Sequence, residues 1–276
     1  MGINYDGLKA LSYARSRGVK FDHTATIGRH AILVRKNVIR RLLKRYSISE
    51  SELDDIVRED FAEPIFKFLG AKKIDSFDFS DYEKATFLQD MNKPIEDARK
   101  NSYDLVFDGG TLEHVFNFPV AIKNCMEMVR PGGYFLSVTM ANNFNGHGFY
   151  QFSPELFFRV FSPENGYDID TVAISVGKTW YRVKDPAKVK GRVEFRNNAG
   201  TYLIVLAKRT SVKNIFETPP FQSDYVEQWD SKIDTTVQQQ HRTFRFTPKR
   251  ILRKMKSLFR EYFISYDKKF FKKMDF

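Results

Sequence analysis

A chain of 276 residues, 42% hydrophobic and 15% aromatic, holds enough apolar side chain for one large core with appendages, which excludes disorder as its overall state. No run approaches the roughly 18 uninterrupted apolar residues of a spanning helix, and the opening stretch MGINYDGLKALSYARSRGVK lacks the apolar centre of a signal peptide, so a cytoplasmic chain is expected. The net charge of +11 is unevenly placed: residues 241–276 carry twelve Lys and Arg against three acids, a net of +9, and the rest of the chain carries only +2.

In chain order, an N-terminal segment (residues 1–21) predicts a short amphipathic helix over 4–17 ending near Gly18. DHTATIGRH reads as a strand running into a turn at Gly28. AILVRKNVIRRLLKRYSI has a mixed helical pattern from Ile32 to Tyr46, basic outside one apolar stripe. SISESELDDIVREDFAEPIFKFLG starts with serines and acids suited to a helix N-terminus and ends at Gly70, a C′ residue. Three strands follow, each closing on an acid: AKKIDSFDFS at Asp78, ATFLQD at Asp90 and YDLVFDGG at Asp108. FPVAIKNCMEMVRPGG is helical up to Pro-Gly-Gly and carries the single cysteine, Cys125, which reads as a small apolar residue on a buried face. YFLSVTM is a continuous apolar strand, Ser153-Pro154-Glu155 opens another helix, and strands at about 167–176 and 201–207 finish the pattern. Strands alternating with helices over 22–210 imply an α/β fold, a doubly wound and mostly parallel sheet covered on both faces. Residues 211–247 read as an extension and 248–276 as a basic tail.

In such a sheet, ligands bind outside the carboxyl ends of the strands where strand order reverses. Gly28, Asp78, Asp90 and Asp108 all stand where a strand gives way to a loop. An acid after the second strand is placed to accept hydrogen bonds from a ribose diol, and one after the third to take the exocyclic amine of an adenine; Gly109 and Gly110 let a ligand approach the backbone. The competing reading makes these acids helix caps and turn residues.

The run IDSFDFS, FLQDMNKPI, YDLVFDGGTLEHVFN and MVRPGGYFLSVTM resembles the second to fifth strands of class I S-adenosylmethionine-dependent methyltransferases. The resemblance covers roughly residues 22–208. It implies a seven-stranded Rossmann-like sheet with its last strand antiparallel, and S-adenosylmethionine as cofactor. It also implies Asp78 and Phe79 beside the ribose and adenine, Asp90 and Met91 beside the adenine, and Asp108, Gly109 and Gly110 near the cofactor's amino acid end. One departure stands out. Where the family has a G-x-G-x-G loop after its first strand, this chain has ATIGRHAI, so that Arg29 either meets the methionine carboxylate or joins His30 in filling the cavity.

NNFNGHGFYQF, directly after the fifth strand, offers His147 as a general base for a hydroxyl acceptor, and Phe149, Tyr150 and Phe152 as stacking faces. His147 equally reads as an ordinary hydrogen-bonding loop residue. His114 is expected to orient a neighbouring loop and Glu113 to line the cofactor pocket. No pairing of His, Cys, Asp and Glu has metal-ligand spacing in the sequence. In the tail, Ile251, Leu252, Met255, Leu258, Phe259, Tyr262 and Phe263 recur at helical spacing opposite Lys and Arg. This basic amphipathic helix suits an anionic membrane surface, a protein partner or the domain's own surface; nucleic acid is disfavoured, since no recognised motif accompanies it.

These features point to a methyltransferase acting on a small hydroxyl acceptor such as a sugar or other glycan, at the inner face of a membrane. The alternative is a non-catalytic methyltransferase-like scaffold tethered by its tail. A nucleotide-binding oxidoreductase is disfavoured because the G-x-G-x-x-G fingerprint is missing.

Overall fold

The structure, a computed structural model, describes residues 2–230, 265–267 and 269–275. Its first helix, α1 (Tyr5–Ser16), starts where the Asn4 side chain accepts a hydrogen bond from the Gly7 N–H at 2.9 Å. After it come β1 (His23–Ile27), α2 (Lys36–Leu43), α3 (Glu50–Arg58), α4 (Glu63–Phe68) and β2 (Lys73–Asp78). The chain continues through β3 (Phe87–Leu88), β4 (Tyr103–Asp108), α5 (Phe118–Met128), β5 (Val129–Asn142) and α6 (Pro154–Val160). It closes with β6 (Tyr167–Val176), β7 (Thr179–Val183), β8 (Thr201–Arg209) and β9 (Phe271–Lys273).

One sheet runs β3-β2-β1-β4-β5-β8-β6-β7-β9. From β3 to β5 every pairing is parallel, and β8 runs antiparallel between β5 and β6. Side chains alternate across it with period two. On β4, Leu105 and Phe107 pack with α1 to α4, whereas Val106 packs with α5 and α6, so both faces are covered and the sheet is doubly wound as expected.

Among the described residues this sheet has nine strands in place of the expected seven. β7 pairs with β6 through a hairpin whose two turn residues, Gly177 (φ +55°) and Lys178 (φ +71°), have the positive φ of the tight turns that match strand twist; the sequence VGKTW carried that signal. β9 comes from the basic tail and pairs with β7 over Tyr181–Val183, so this part of the tail is a strand and not a helix. The amphipathic helix expected over 251–263 lies outside the described residues. The helical stretch expected over 47–70 is two helices: the chain leaves helical backbone at Glu59 (ψ 143°), and Pro64, which has no N–H to offer a preceding turn, stands in the first turn of α4, where none is needed. Ala31 and Ile32, expected in a helix, instead pair in parallel with Gly2 and Ile3.

Candidate functional site

The strand order reverses between β1 and β4: from β1 the chain moves outward through β2 and β3, and from β4 in the other direction through β5. Register aligns Ile27 with Phe77 on β2 and with Asp108 on β4. Gly28, Asp78 and Asp108 therefore lie along one edge of the sheet, at the crevice where ligands bind in this architecture. Gly28 turns there with φ +83°, its N–H donating to the Phe77 carbonyl at 2.7 Å.

A cavity of about 490 Å³ opens at this edge. Asp78, Phe79, Asp90 and Met91, four of the residues read from the sequence, line it together with Gln89 and Asn92. Thr111, His114 and Val115 close its far end. The loop that carries Met91 is held from below by buried Asn124, which accepts from the Ile95 N–H at 2.9 Å and donates to the Lys93 carbonyl at 2.7 Å. Asp78 accepts one long bond, 3.3 Å, from the Ser80 N–H, and Phe79 is exposed. Asp90 takes the turn role as well: its Oδ1 accepts from the Asn92 N–H at 3.0 Å and side-chain amide at 2.9 Å, bonds that hold its carboxyl below the usual range.

Asp108 does not line the cavity. It is wholly buried, accepting from the Thr111 and Leu112 N–H groups at 2.9 and 3.3 Å and from the Ser137 hydroxyl at 2.7 Å. Burial raises its pKa against those bonds. Asp108 is thus a cap for the loop that begins at Gly109. The same loop is tied to β1 where the Thr111 hydroxyl donates to the Ile27 carbonyl.

Arg29 is committed away from Gly28. Its Nε donates to Glu63 at 2.6 Å, its Nη1 to the Glu83 carbonyl at 2.9 Å, and its guanidinium sits 4.0 Å from the Phe61 ring centre. His30 does fill space at the strand ends: it is buried edge-on to Phe107, and a Cβ at position 109 would stand 2.9 Å from its Cε1. The imidazole thus fits only because residue 109 is glycine, which explains how this chain departs from the glycine-rich loop without closing the neighbouring cavity. Neither His30 nitrogen has a hydrogen-bond partner, and burial holds its pKa down at about 3.

Glu113 is the residue whose importance the sequence understated. Its carboxyl is buried; Oε2 accepts from the Thr139 hydroxyl at 2.9 Å and Oε1 has no hydrogen-bond partner. Burial, with the Asp108 charge adding to it, pushes its pKa up to about 8. The loop after β5 lies on its backbone, with the Phe149 N–H donating to the Glu113 carbonyl at 2.8 Å. Gly148 makes this approach possible: φ is +69°, and a Cβ there would stand 2.8 Å from that carbonyl. His147 is thereby placed with its Nε2 3.9 Å from Glu113 Oε1 and its ring 4.8 Å from that of His114. The sequence spacing gave no metal-ligand pattern, yet ligand atoms of Glu113, His114 and His147 all lie within 4.8 Å of one another, because the ends of β4 and β5 are adjacent only in the folded sheet.

Residues 71–137, from just before β2 into β5, match the methyltransferase domain family. Among solved structures, the chain is similar to the 1,6-didemethyltoxoflavin N1-methyltransferase of Burkholderia thailandensis with bound 1,6-didemethyltoxoflavin and S-adenosylhomocysteine, at 9% identity over 73% of this chain and 77% of that one, with a TM-score of 0.42. It is also similar to an N-methyltransferase of Bradyrhizobium japonicum in complex with S-adenosylhomocysteine, at 12% identity over 75% and 86% of the two chains, with a TM-score of 0.40. A branched-chain polyamine synthase of Thermus thermophilus shares 11% identity over 75% of this chain and 57% of that one, with a TM-score of 0.36. No curated protein matches in sequence. The matched segment spans β2 to the start of β5 and contains every residue that lines the cavity, from Phe77 to Val115.

Proposed function

We propose that this chain methylates a hydroxyl on a small acceptor, a sugar or related glycan, that enters beside His114 and His147. The observation that carries the reading is the cavity itself: about 490 Å³ at the switch point, with Asp78 and Asp90 on its walls and Phe79 and Met91 between them. Those residues suit an adenosyl group. Asp78 keeps acceptor capacity for a ribose diol, since the bond it accepts from the Ser80 N–H is long, 3.3 Å, and apolar Met91 and Phe77 offer a flat base their surface. S-adenosylmethionine supplies an electrophilic methyl group when bound.

The chain's own residues do the positioning. Gly110, with φ +94°, keeps the backbone free of a Cβ where Glu113 Oε1 would come within 3.2 Å of one. His147 is part-exposed at the rim, where its imidazole is the candidate base for a hydroxyl acceptor. Phe149 and Phe116 are exposed and meet edge-on 5.9 Å apart, forming an apolar wall at the same rim that suits the flat face of a sugar ring.

The preference for oxygen is tested by turnover. The chain is incubated with methyl-labelled S-adenosylmethionine and a panel of small hydroxyl-bearing and amine-bearing acceptors, with label transfer followed by mass spectrometry. Transfer to oxygen supports the reading; transfer confined to nitrogen overturns it.

A cytoplasmic location with attachment to an anionic membrane through residues 248–276 belongs to the same proposal and rests on the net charge of +9 over 241–276. Among the described residues no helix is long and apolar enough to cross a membrane. Co-sedimentation with anionic liposomes, with and without the tail, checks attachment; equal pelleting of the two chains contradicts it.

A further inference from the structure

We propose that Glu113, His114 and His147 form a binding site for a divalent first-row transition ion, with two imidazoles and one carboxylate as ligands. Three independent observations converge on it. The ligand atoms of all three residues lie within 4.8 Å of one another. Around a tetrahedral ion with bonds near 2.0–2.1 Å, ligand atoms stand about 3.4 Å apart, so the 3.9 Å between Glu113 Oε1 and His147 Nε2 needs only a small contraction. Second, Glu113 Oε1 is buried without a hydrogen-bond partner and aimed at His147, while Oε2 is fixed by Thr139, which orients the carboxylate as a supporting hydrogen bond orients a metal ligand. Third, the site is built from the backbone outward. Gly148 permits the close approach, and bonds from the Phe149 and Tyr150 N–H groups to the Glu113 carbonyl hold the His147 loop in place.

The donor set selects the ion. Two imidazole nitrogens and one carboxylate oxygen suit zinc, iron, cobalt or nickel, whereas magnesium and calcium prefer all-oxygen shells. His114 also lines the cavity, so the side of the ion not covered by protein faces the end where an acceptor enters. A ligand with oxygen donors, such as a hydroxyl or a pair of neighbouring hydroxyls, is the class that an open position of this kind takes. This part rests on the proposed acceptor class; the ion site does not. An ion at this position also engages the His147 lone pair, so a proton-accepting His147 and a ligating His147 exclude one another.

The test uses the full-length chain without an affinity tag, stripped by chelator and titrated with zinc chloride against a chromophoric zinc chelator, with cobalt chloride absorption as a second readout. We expect one equivalent of zinc to bind and a cobalt spectrum of low coordination number. His114→Ala and His147→Ala should each weaken binding by at least about tenfold. Glu113→Gln, which keeps a partner for Thr139, should weaken it similarly with the melting temperature retained. Absence of saturable one-to-one binding, or equal affinity in the two histidine variants and the parent, overturns the proposal. S-adenosylhomocysteine binding, measured in parallel by calorimetry, separates failure of this site from failure of the methyltransferase reading.

Discussion

Glu113 Oε1 and His147 Nε2 stand 3.9 Å apart although the whole of β5 separates them in the chain. The contact exists because β4 and β5 are parallel neighbours whose ends open on one side, and because Gly148 lets the loop after β5 rest on the Glu113 carbonyl. Gly148→Ala should therefore detach the loop: the new methyl would lie 2.8 Å from a backbone oxygen at a φ that side chains disfavour by about 1–3 kcal/mol. Steady-state kinetics should show kcat/KM for the acceptor falling roughly tenfold, which is about 1.4 kcal/mol, with S-adenosylhomocysteine affinity unchanged. An equal loss in both would place the loop's effect on the cofactor side instead.

His30 gives a pH signature. Its pKa is held down at about 3 by burial, against an ordinary value of 6.5. In the unfolded chain the ring takes a proton below pH 6.5 and in the folded chain it does not, so stability is full above 6.5 and falls as pH drops toward 3, by about 1.4 kcal/mol per unit from this one group. His30→Leu removes two unpartnered buried nitrogens at similar volume. It should lie within about 1 kcal/mol of the parent at pH 7 and become the more stable of the two by pH 4.5. Urea unfolding at both pH values checks this; parallel losses in the two chains would remove His30 from the acid response.

Asp108 is predicted to act on the fold and not by touching ligand. Asp108→Ala leaves the Thr111 and Leu112 N–H groups and the Ser137 hydroxyl without their acceptor, a loss of roughly 2–4 kcal/mol by the usual scale for buried unpaired groups. Asp108→Asn, which keeps one carbonyl oxygen, should lose about half as much. Thermal melts of both variants decide; a normal melting temperature with lost cofactor affinity would return Asp108 to the cofactor contacts.

Much of this organisation is visible in the chain before folding. Strands buried on both faces leave long apolar runs, so YDLVFD and YFLSVTM announce β4 and β5, and acids or glycines at strand ends announce the edge where Asp78 and Asp90 meet. What periodicity cannot supply is proximity across the sheet. Nothing in the spacing of Glu113, His114 and His147 predicts that they gather, nor that Gly109 accommodates the His30 ring. Asp78 and Asp108 look alike in sequence, each closing an apolar strand, yet one edges a cavity and the other caps a loop, because only the second is covered by β5 and by the turn it holds. β9 escaped because its pairing partner lies some ninety residues earlier, and short basic segments carry little strand signal of their own.

The most direct measurement is calorimetric titration of the full chain with S-adenosylhomocysteine, repeated for Asp78→Ala. Asp78 is only half-buried and holds one long bond, so the variant should keep the parent's melting temperature. The cavity between Asp78 and Met91 predicts saturable one-to-one binding that weakens by about ten- to a hundredfold in the variant, the loss of a charge-assisted hydrogen bond to a ribose. No binding by the parent chain, or equal affinity in the two, would contradict the assignment of that cavity to the adenosyl group.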